Sequence, residues 1–259
     1  YPMRYSFAAD HFQYLACIGP IALFSASLTV LATSGSSGEV KVPPNFLPAF
    51  SASLLLVLCL LTWKQAHIYK NMEVLWRDTL SKNPNSALVH NNLGTEMERQ
   101  GKHQKALNHW QKVVVLDPNF SEARYNLGKA YHIKGELSLA VSEFKRSLEL
   151  DPAFYPAHNR LAVALAEQEN LEEALHYARI CVSMKPDYTP GVVTLGNILE
   201  ELGSLKEAQA YYKRALELDK NSFENHLNLA NLLYRVGSLA EAISLYKKVI
   251  ALNPRSLEA

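Results

Sequence analysis

Histidine is the side chain whose placement in this sequence first suggests chemistry. The chain has nine histidines and three cysteines. A zinc site is built from closely spaced ligands, such as paired cysteines two residues apart or two histidines one helical turn apart. Cys17, Cys59 and Cys181 form no such pair, and two of them stand in apolar stretches where a thiol behaves as a small hydrophobe. His90, His158 and His226 recur at one position of a longer period, which invites a metal reading. They stand two repeats apart, however, and packed helices are spaced ~8–10 Å, too far for neighbouring members to share an ion. No Gly-rich phosphate loop follows a strand. Asp10-His11 suits either a site completed by other sequence or an interfacial polar cluster, and Glu172-Glu173 and Glu200-Glu201 fall on solvated helix faces. No catalytic residue, metal or cofactor is expected, and the chain does not read as an enzyme.

A different chemistry, hydrogen bonding to another chain, is written in a row of amides. Asn92, Asn126, Arg160, Thr194 and Asn228 recur at one position, with Asn91 and Asn159 one residue upstream. A ladder of side-chain amides can donate to and accept from the backbone of an extended peptide with little demand on its sequence. The plainer reading, asparagine merely tolerated on an exposed helix, stands beside it. Tyr125, Lys129, Tyr234 and Arg235 are further candidates for the same groove.

The elements that would carry this row announce themselves by period. Pro84, Pro118, Pro152, Pro186 and Pro254 are separated by 34 residues or a multiple of it, with Lys220 in the one gap. Leu93, Leu127, Leu161, Leu195 and Leu229 keep that step, as do Gly94, Gly128, Ala162, Gly196 and Ala230, and Ala106, Ala140, Ala174, Ala208 and Ala242. A step of this length is that of a helix–turn–helix repeat. The small residues let paired helices approach, and Gly101, Gly135, Gly203 and Gly237 end first helices in a left-handed turn. Trp110, Phe144, Tyr212 and Tyr246 fill the seam with the next repeat, and each proline stops a second helix. The expected repeats are Ala87–Phe120, Ser121–Phe154, Tyr155–Tyr188, Thr189–Ser222 and Phe223–Ser256. The third, with Glu169 for glycine and Ala178 for the aromatic, is expected to be a softer or locally altered hairpin. The segment Ala66–Asn83 reads as a second helix without its first, and Leu257–Ala259 as the start of another repeat, so a longer parent chain is expected.

Composition divides the chain. Hydrophobic residues make up 48% and charged residues 20%, but almost all charge lies beyond Lys64. The runs Tyr14–Ala32 and Leu47–Trp63 carry no charge and approach the ~20 residues that cross a bilayer. A short Gly-, Ser- and Pro-rich connector separates them, and Phe12, Tyr14, Phe46, Phe50 and Trp63 stand at their rims. Two transmembrane helices in contact with lipid are therefore expected. Both ends of such a hairpin lie on one side, and Arg4, Lys64, Lys70, Arg77 and Lys82 against Lys41 favour the cytoplasm. The net charge of +1 leaves no footprint for nucleic acid.

The stretches NNLGTEMERQGKHQKALNHWQKVVVLDPN and YNLGKAYHIKGELSLAVSEFKRSLELDP resemble the tetratricopeptide-repeat superfamily. That resemblance implies an all-helical, right-handed superhelix that assembles proteins. Asn92, Asn126 and Asn228 look like the asparagine ladder of the repeat domain of O-linked N-acetylglucosamine transferase, with Arg160 and Thr194 departing from it. The first 85 residues, through ADHFQYLACIGPIAL and TWKQAHIYKNMEVLWRDTLSKNPNS, resemble the end of polytopic glycosyltransferases related to protein O-mannosyltransferases. Asp10, Tyr14 and Leu15 match the [DE]-R-Y-x-Y-L-P motif of that family, while His11, Phe12 and the missing proline depart. This second resemblance implies repeats on the extracytoplasmic, periplasmic side.

The expected architecture is all-α: a transmembrane helical hairpin over 1–65, a connecting helix over 66–86 that caps the solenoid, and a right-handed solenoid of five hairpins over 87–259. The expected function is a membrane-anchored scaffold that binds proteins or extended peptides in its concave groove and supports a membrane complex. The alternative is the acceptor-binding part of a polytopic protein O-glycosyltransferase whose catalytic half lies elsewhere.

Overall fold

The computed structural model describes residues 72–252, together with Ser53, Leu56, Val57, Leu60 and Trp63. The chain divides into two compact units, Tyr1–Asn71 and Met72–Ala259. In the first unit those five residues are helical and exposed. The remainder of the runs 14–32 and 47–63 lies outside the described residues, as does the junction 64–71. Among the described residues no helix is long and apolar enough to cross a membrane.

The second unit is built of eleven helices among the described residues: α1 (Met72–Lys82), α2 (Ala87–Arg99), α3 (His103–Leu116), α4 (Ser121–Ile133), α5 (Leu137–Leu150), α6 (Tyr155–Glu167), α7 (Leu171–Met184), α8 (Thr189–Glu201), α9 (Leu205–Leu218), α10 (Phe223–Arg235) and α11 (Leu239–Leu252). First helices run 13 residues and second helices 14, as in α4 and α5. The connectors between α4, α5 and α6 span 134–136 and 151–154, and that sum of lengths is the period. α2 with α3, α4 with α5, α6 with α7, α8 with α9 and α10 with α11 pair as hairpins, and each second helix packs on the next first helix. α1 packs against α2 in the same way. The first helices α4, α6 and α8 also approach one another directly, so they line the inner, concave side of the array. The described unit is an all-helical solenoid.

Each hairpin turns through one left-handed residue. Gly101, Gly135, Gly203 and Gly237 have φ between 71° and 82°. In the second repeat the amide of Gly135 donates to the His132 carbonyl (2.9 Å) and that of Glu136 to the Tyr131 carbonyl (2.9 Å). These two bonds satisfy carbonyls that the helix end leaves open. Glu169 adopts φ 62° and its turn makes the same pair, Glu169 to Ala166 (2.8 Å) and Asn170 to Leu165 (3.0 Å). The third hairpin therefore keeps the turn bonds of its neighbours, and its expected local alteration is a side-chain-bearing residue, Glu169, in the left-handed region. The strain of a side chain in the left-handed region is borne by one residue, at about 1–2 kcal/mol, rather than spread into the helices.

The core follows from pairs of positions. A Cβ on Gly94 would meet Trp110 at 2.5 Å, one on Gly128 would meet Phe144 at 2.7 Å, and one on Gly196 would meet Tyr212 at 2.7 Å. The missing Cβ is the room each ring occupies. In the third repeat Ala162 faces a helix carrying Ala178, both with no exposure, so a methyl on one side goes with the loss of the ring on the other. The second helices α3, α5 and α9 end at aspartates before the proline position, where Asp117, Asp151 and Asp219 each accept from the amide two residues on at 3.1 Å. Lys220 sits in the proline position inside the last of these turns, which explains why the missing proline leaves the hairpin unchanged.

Candidate functional site

The candidate site is the concave face formed by the first helices. Their fifth and sixth positions face successive neighbours: Asn91 and Asn92 on α2, Tyr125 and Asn126 on α4, Asn159 and Arg160 on α6, Thr194 on α8, and Asn228 on α10. The amides are not equal rungs. Asn126, 7% exposed, donates from Nδ2 to Oδ1 of Asn91 at 3.2 Å, and Asn91, 2% exposed, donates in turn toward Glu122 at 3.5 Å. This chain ties the first two repeats to each other rather than offering Asn126 to a ligand. Asn92 and Asn228 are partly exposed, Arg160 is exposed and Thr194 is buried. Asn92 Nδ2 and the Oδ1 of buried Asn159 have no partner among the described residues. An unmatched buried amide atom costs about 1–3 kcal/mol. The row thus holds partly exposed amides at Asn92, whose Nδ2 is itself buried, and at Asn228, an exposed guanidinium at Arg160, a buried hydroxyl at Thr194 and an internal bond at Asn126.

Aromatic and charged side chains complete the face. Tyr125 packs edge-on to Phe154 (ring centroids 4.9 Å) and tilted on Phe144 (5.9 Å). The Lys129 ammonium stands 5.7 Å from the Tyr125 ring centroid, within reach of a cation–π contact. Burial pushes the Lys129 pKa down, Glu98 opposes this, and the charge of Arg160 adds to it. Tyr155 and Tyr188 meet edge-on at 5.0 Å. Tyr234 and Arg235 lie exposed at the end of α10, where Arg235 pairs with Glu200. Glu200 also takes the Tyr212 hydroxyl at 2.7 Å, so Arg235 is engaged within the array.

His90, His158 and His226 are each held by a carbonyl at or just before the start of their own helix. His90 Nε2 lies 3.1 Å from the Pro84 carbonyl and its Nδ1 lies 2.9 Å from Nδ1 of His109. A carbonyl can only accept, so His90 carries its proton on Nε2 and accepts from His109. His158 Nε2 reaches the Pro152 carbonyl at 2.9 Å, whereas His226 uses Nδ1 toward Ser222 O at 2.9 Å. His109 was not legible from a period, because it is one member of a pairing between the fourth position and a position 19 residues on. The same pairing appears as Arg124 with Glu143 (3.0 Å) and as the His158–Tyr177 ring contact (5.8 Å). Only the comparison of paired positions across repeats would have found it. Among the described residues no three His, Cys, Asp or Glu side chains gather where a metal could sit.

Tetratricopeptide-repeat family models match residues 99–135, 121–154, 140–188 and 192–258. The repeats of this chain are tetratricopeptide repeats, and residues 99–258 belong to that class. No curated protein matches the chain. Among solved structures it is similar to TTC0263, a thermophilic tetratricopeptide-repeat protein of Thermus thermophilus. That likeness is at 26% identity with a TM-score of 0.57, over 67% of this chain and 94% of that one. It is also similar to YrrB, described as a tetratricopeptide-repeat protein with an unusual peptide-binding site, at 21% identity and a TM-score of 0.56 over 69% of this chain and 92% of that one. PilF of Pseudomonas aeruginosa matches at 22% identity and 0.60, over 64% and 76%. At such identities the likeness to YrrB and PilF speaks for the fold alone. None of the matched family models reaches residues 1–98, so the glycosyltransferase resemblance rests on its own residues.

Proposed function

We propose that this chain is a membrane-anchored tetratricopeptide scaffold that holds an extended segment of a partner protein along its concave face. The observation that carries the reading is the row at the sixth position of the first helices, Asn92 on α2, Arg160 on α6, Thr194 on α8 and Asn228 on α10, with Tyr125 and Lys129 contributed by α4. The amides of Asn92 and Asn228 and the hydroxyl of Thr194 both donate and accept, while the Arg160 guanidinium donates only, a set that suits the alternating amides and carbonyls of a main chain. YrrB, of like fold, is described as having a peptide-binding site. The reading is tested by panning an unbiased peptide library on the full chain and measuring the retained peptides on Asn92→Ala/Asn228→Ala. Both side chains are partly exposed and make no bond that the fold depends on, so the variant should fold normally and bind at least about fivefold more weakly. Equal affinity would overturn the groove.

Membrane attachment is part of the proposal. The uncharged runs Tyr14–Ala32 and Leu47–Trp63 support it, as do the exposed apolar side chains of Leu56, Val57, Leu60 and Trp63 at helical spacing. The repeats are proposed to face the extracytoplasmic side, by the resemblance of residues 1–85 rather than by the Lys and Arg count. Retention in the membrane pellet after alkaline carbonate extraction tests the attachment, and protease access to the repeats in sealed vesicles tests the side. Asp10, Tyr14 and Leu15 favour a second reading, in which the groove presents acceptor protein to a glycosyltransferase active site supplied by other sequence.

A further inference from the structure

We propose that His90 and His109 form a two-ligand site for a tetrahedral zinc ion inside the first hairpin, with water in its two remaining positions. His90 is the fourth residue of α2 and His109 the seventh of α3. Their Nδ1 atoms lie 2.9 Å apart and their ring centroids 5.2 Å apart. At the ~2.0–2.1 Å bond length of tetrahedral zinc, two imidazole nitrogens stand ~3.3 Å apart and their ring centroids ~5.2 Å apart. The rings are therefore already spaced for the ion. To bind it, each ring turns in place and the two nitrogens open by a few tenths of an ångström.

The far nitrogen of His90 is fixed as in metal-binding imidazoles, which donate their other N–H to a carbonyl or carboxylate. Its Nε2 donates to the Pro84 carbonyl at 3.1 Å, which leaves the lone pair on Nδ1, toward His109. His90 is buried and held in this orientation, whereas His109 is partly exposed and gives an ion a way in. The same two positions carry Arg124 with Glu143, His158 with Tyr177, Val192 with Tyr211, and His226 with Leu245 in the later repeats. His158 keeps the anchor, Nε2 to the Pro152 carbonyl at 2.9 Å, but its partner ring is a phenol. Only the first hairpin supplies two imidazoles. Burial holds both below their ordinary pKa, so at neutral pH each is in the uncharged form that a metal binds. As the ion enters, the Nδ1 proton of His109 is exchanged through solvent for one on its Nε2, and the charge of the protein is unchanged. The charges of Arg77 and Lys112 bear on His109 and oppose a cation. Among the described residues no third His, Cys, Asp or Glu joins the pair, so the ion is exchangeable rather than locked in. A bound ion clips α2 to α3 and stabilises the first repeat.

The test titrates zinc into the untagged, chelator-treated full chain at neutral pH and reads binding by calorimetry and by the melting temperature. Zinc should bind and raise the melt by at least about 3 °C at a hundredfold excess over its dissociation constant. Cobalt in its place should show the strong visible absorption of a tetrahedral ion. A lost ligand costs at least the ~10–100-fold of a lost supporting group, so His90→Gln and His109→Gln should each weaken zinc binding about tenfold or more. His158→Gln, at the single-imidazole position of the third repeat, should bind zinc as the unaltered chain does. Circular dichroism and metal-free melts establish that each variant folds. If His90→Gln does not fold, His109→Gln decides alone, because its side chain is partly exposed. No zinc binding to the unaltered chain would overturn the site. So would full affinity in His109→Gln, which would place the ion on other histidines, or the weak absorption of octahedral cobalt.

Discussion

Asn126 donates from Nδ2 to Oδ1 of Asn91 across the boundary between the first two repeats, at 3.2 Å. Two residues one full repeat and one position apart thereby join, with both side chains buried. The bond turns one rung of an apparent peptide ladder into a bolt between hairpins. It also separates two kinds of asparagine that the sequence alone presents as equivalent.

Asn126→Ala should destabilise the solenoid by about 1–2 kcal/mol, because Asn91 Oδ1 would be left buried without its donor. Asn92→Ala removes a side chain whose Nδ2 has no partner and should be neutral or slightly stabilising. Urea midpoints of the two variants check this contrast. Equal losses would mean that both residues serve the same role.

Glu169→Gly should raise stability by about 1 kcal/mol, since it relieves a left-handed side chain at φ 62° without altering the turn bonds. Gly135→Ala should lower it by a similar amount: a Cβ there meets nothing within 4 Å, so the cost is conformational alone. Thermal melts of both variants should move in opposite directions.

Gly128→Ala should cost about 1–3 kcal/mol, because its new Cβ would sit 2.7 Å from the Phe144 ring. Phe144→Ala alone leaves a cavity and should cost about 3–5 kcal/mol. The two together recreate the Ala162–Ala178 arrangement of the third repeat, so their costs should add to less than the sum. A double-mutant cycle measures that coupling, and strict additivity would refute it.

Acid should loosen the first repeat. Burial holds the His90 pKa below its ordinary 6.5, the Pro84 hydrogen bond opposing, and holds His109 down as well, with help from His90, Arg77 and Lys112. The unfolded chain then binds more protons than the folded one just below pH 6.5, so stability rises with pH through that window. It is complete above the unfolded value and is lost as pH falls through the lowered folded values. The melting temperature should therefore drop between about pH 7 and pH 5, and His109→Gln should flatten the drop. An unchanged slope would place the titration elsewhere.

The sequence by itself determined the period, because helix lengths, turn glycines and proline stops are local requirements that recur wherever the same hairpin is built. It also determined the concave row, since a fixed period places equal positions on equal faces. It also marked the third hairpin as an altered one: Glu169 in place of glycine takes the left-handed turn there, and the turn bonds are kept. Tertiary structure alone decided which row members are open. Asn126 meets Asn91 on another repeat, His90 meets His109 on its partner helix, and Arg235 meets Glu200 one repeat back. Each of these contacts depends on how neighbouring helices are set against one another, a distance that no single helix encodes.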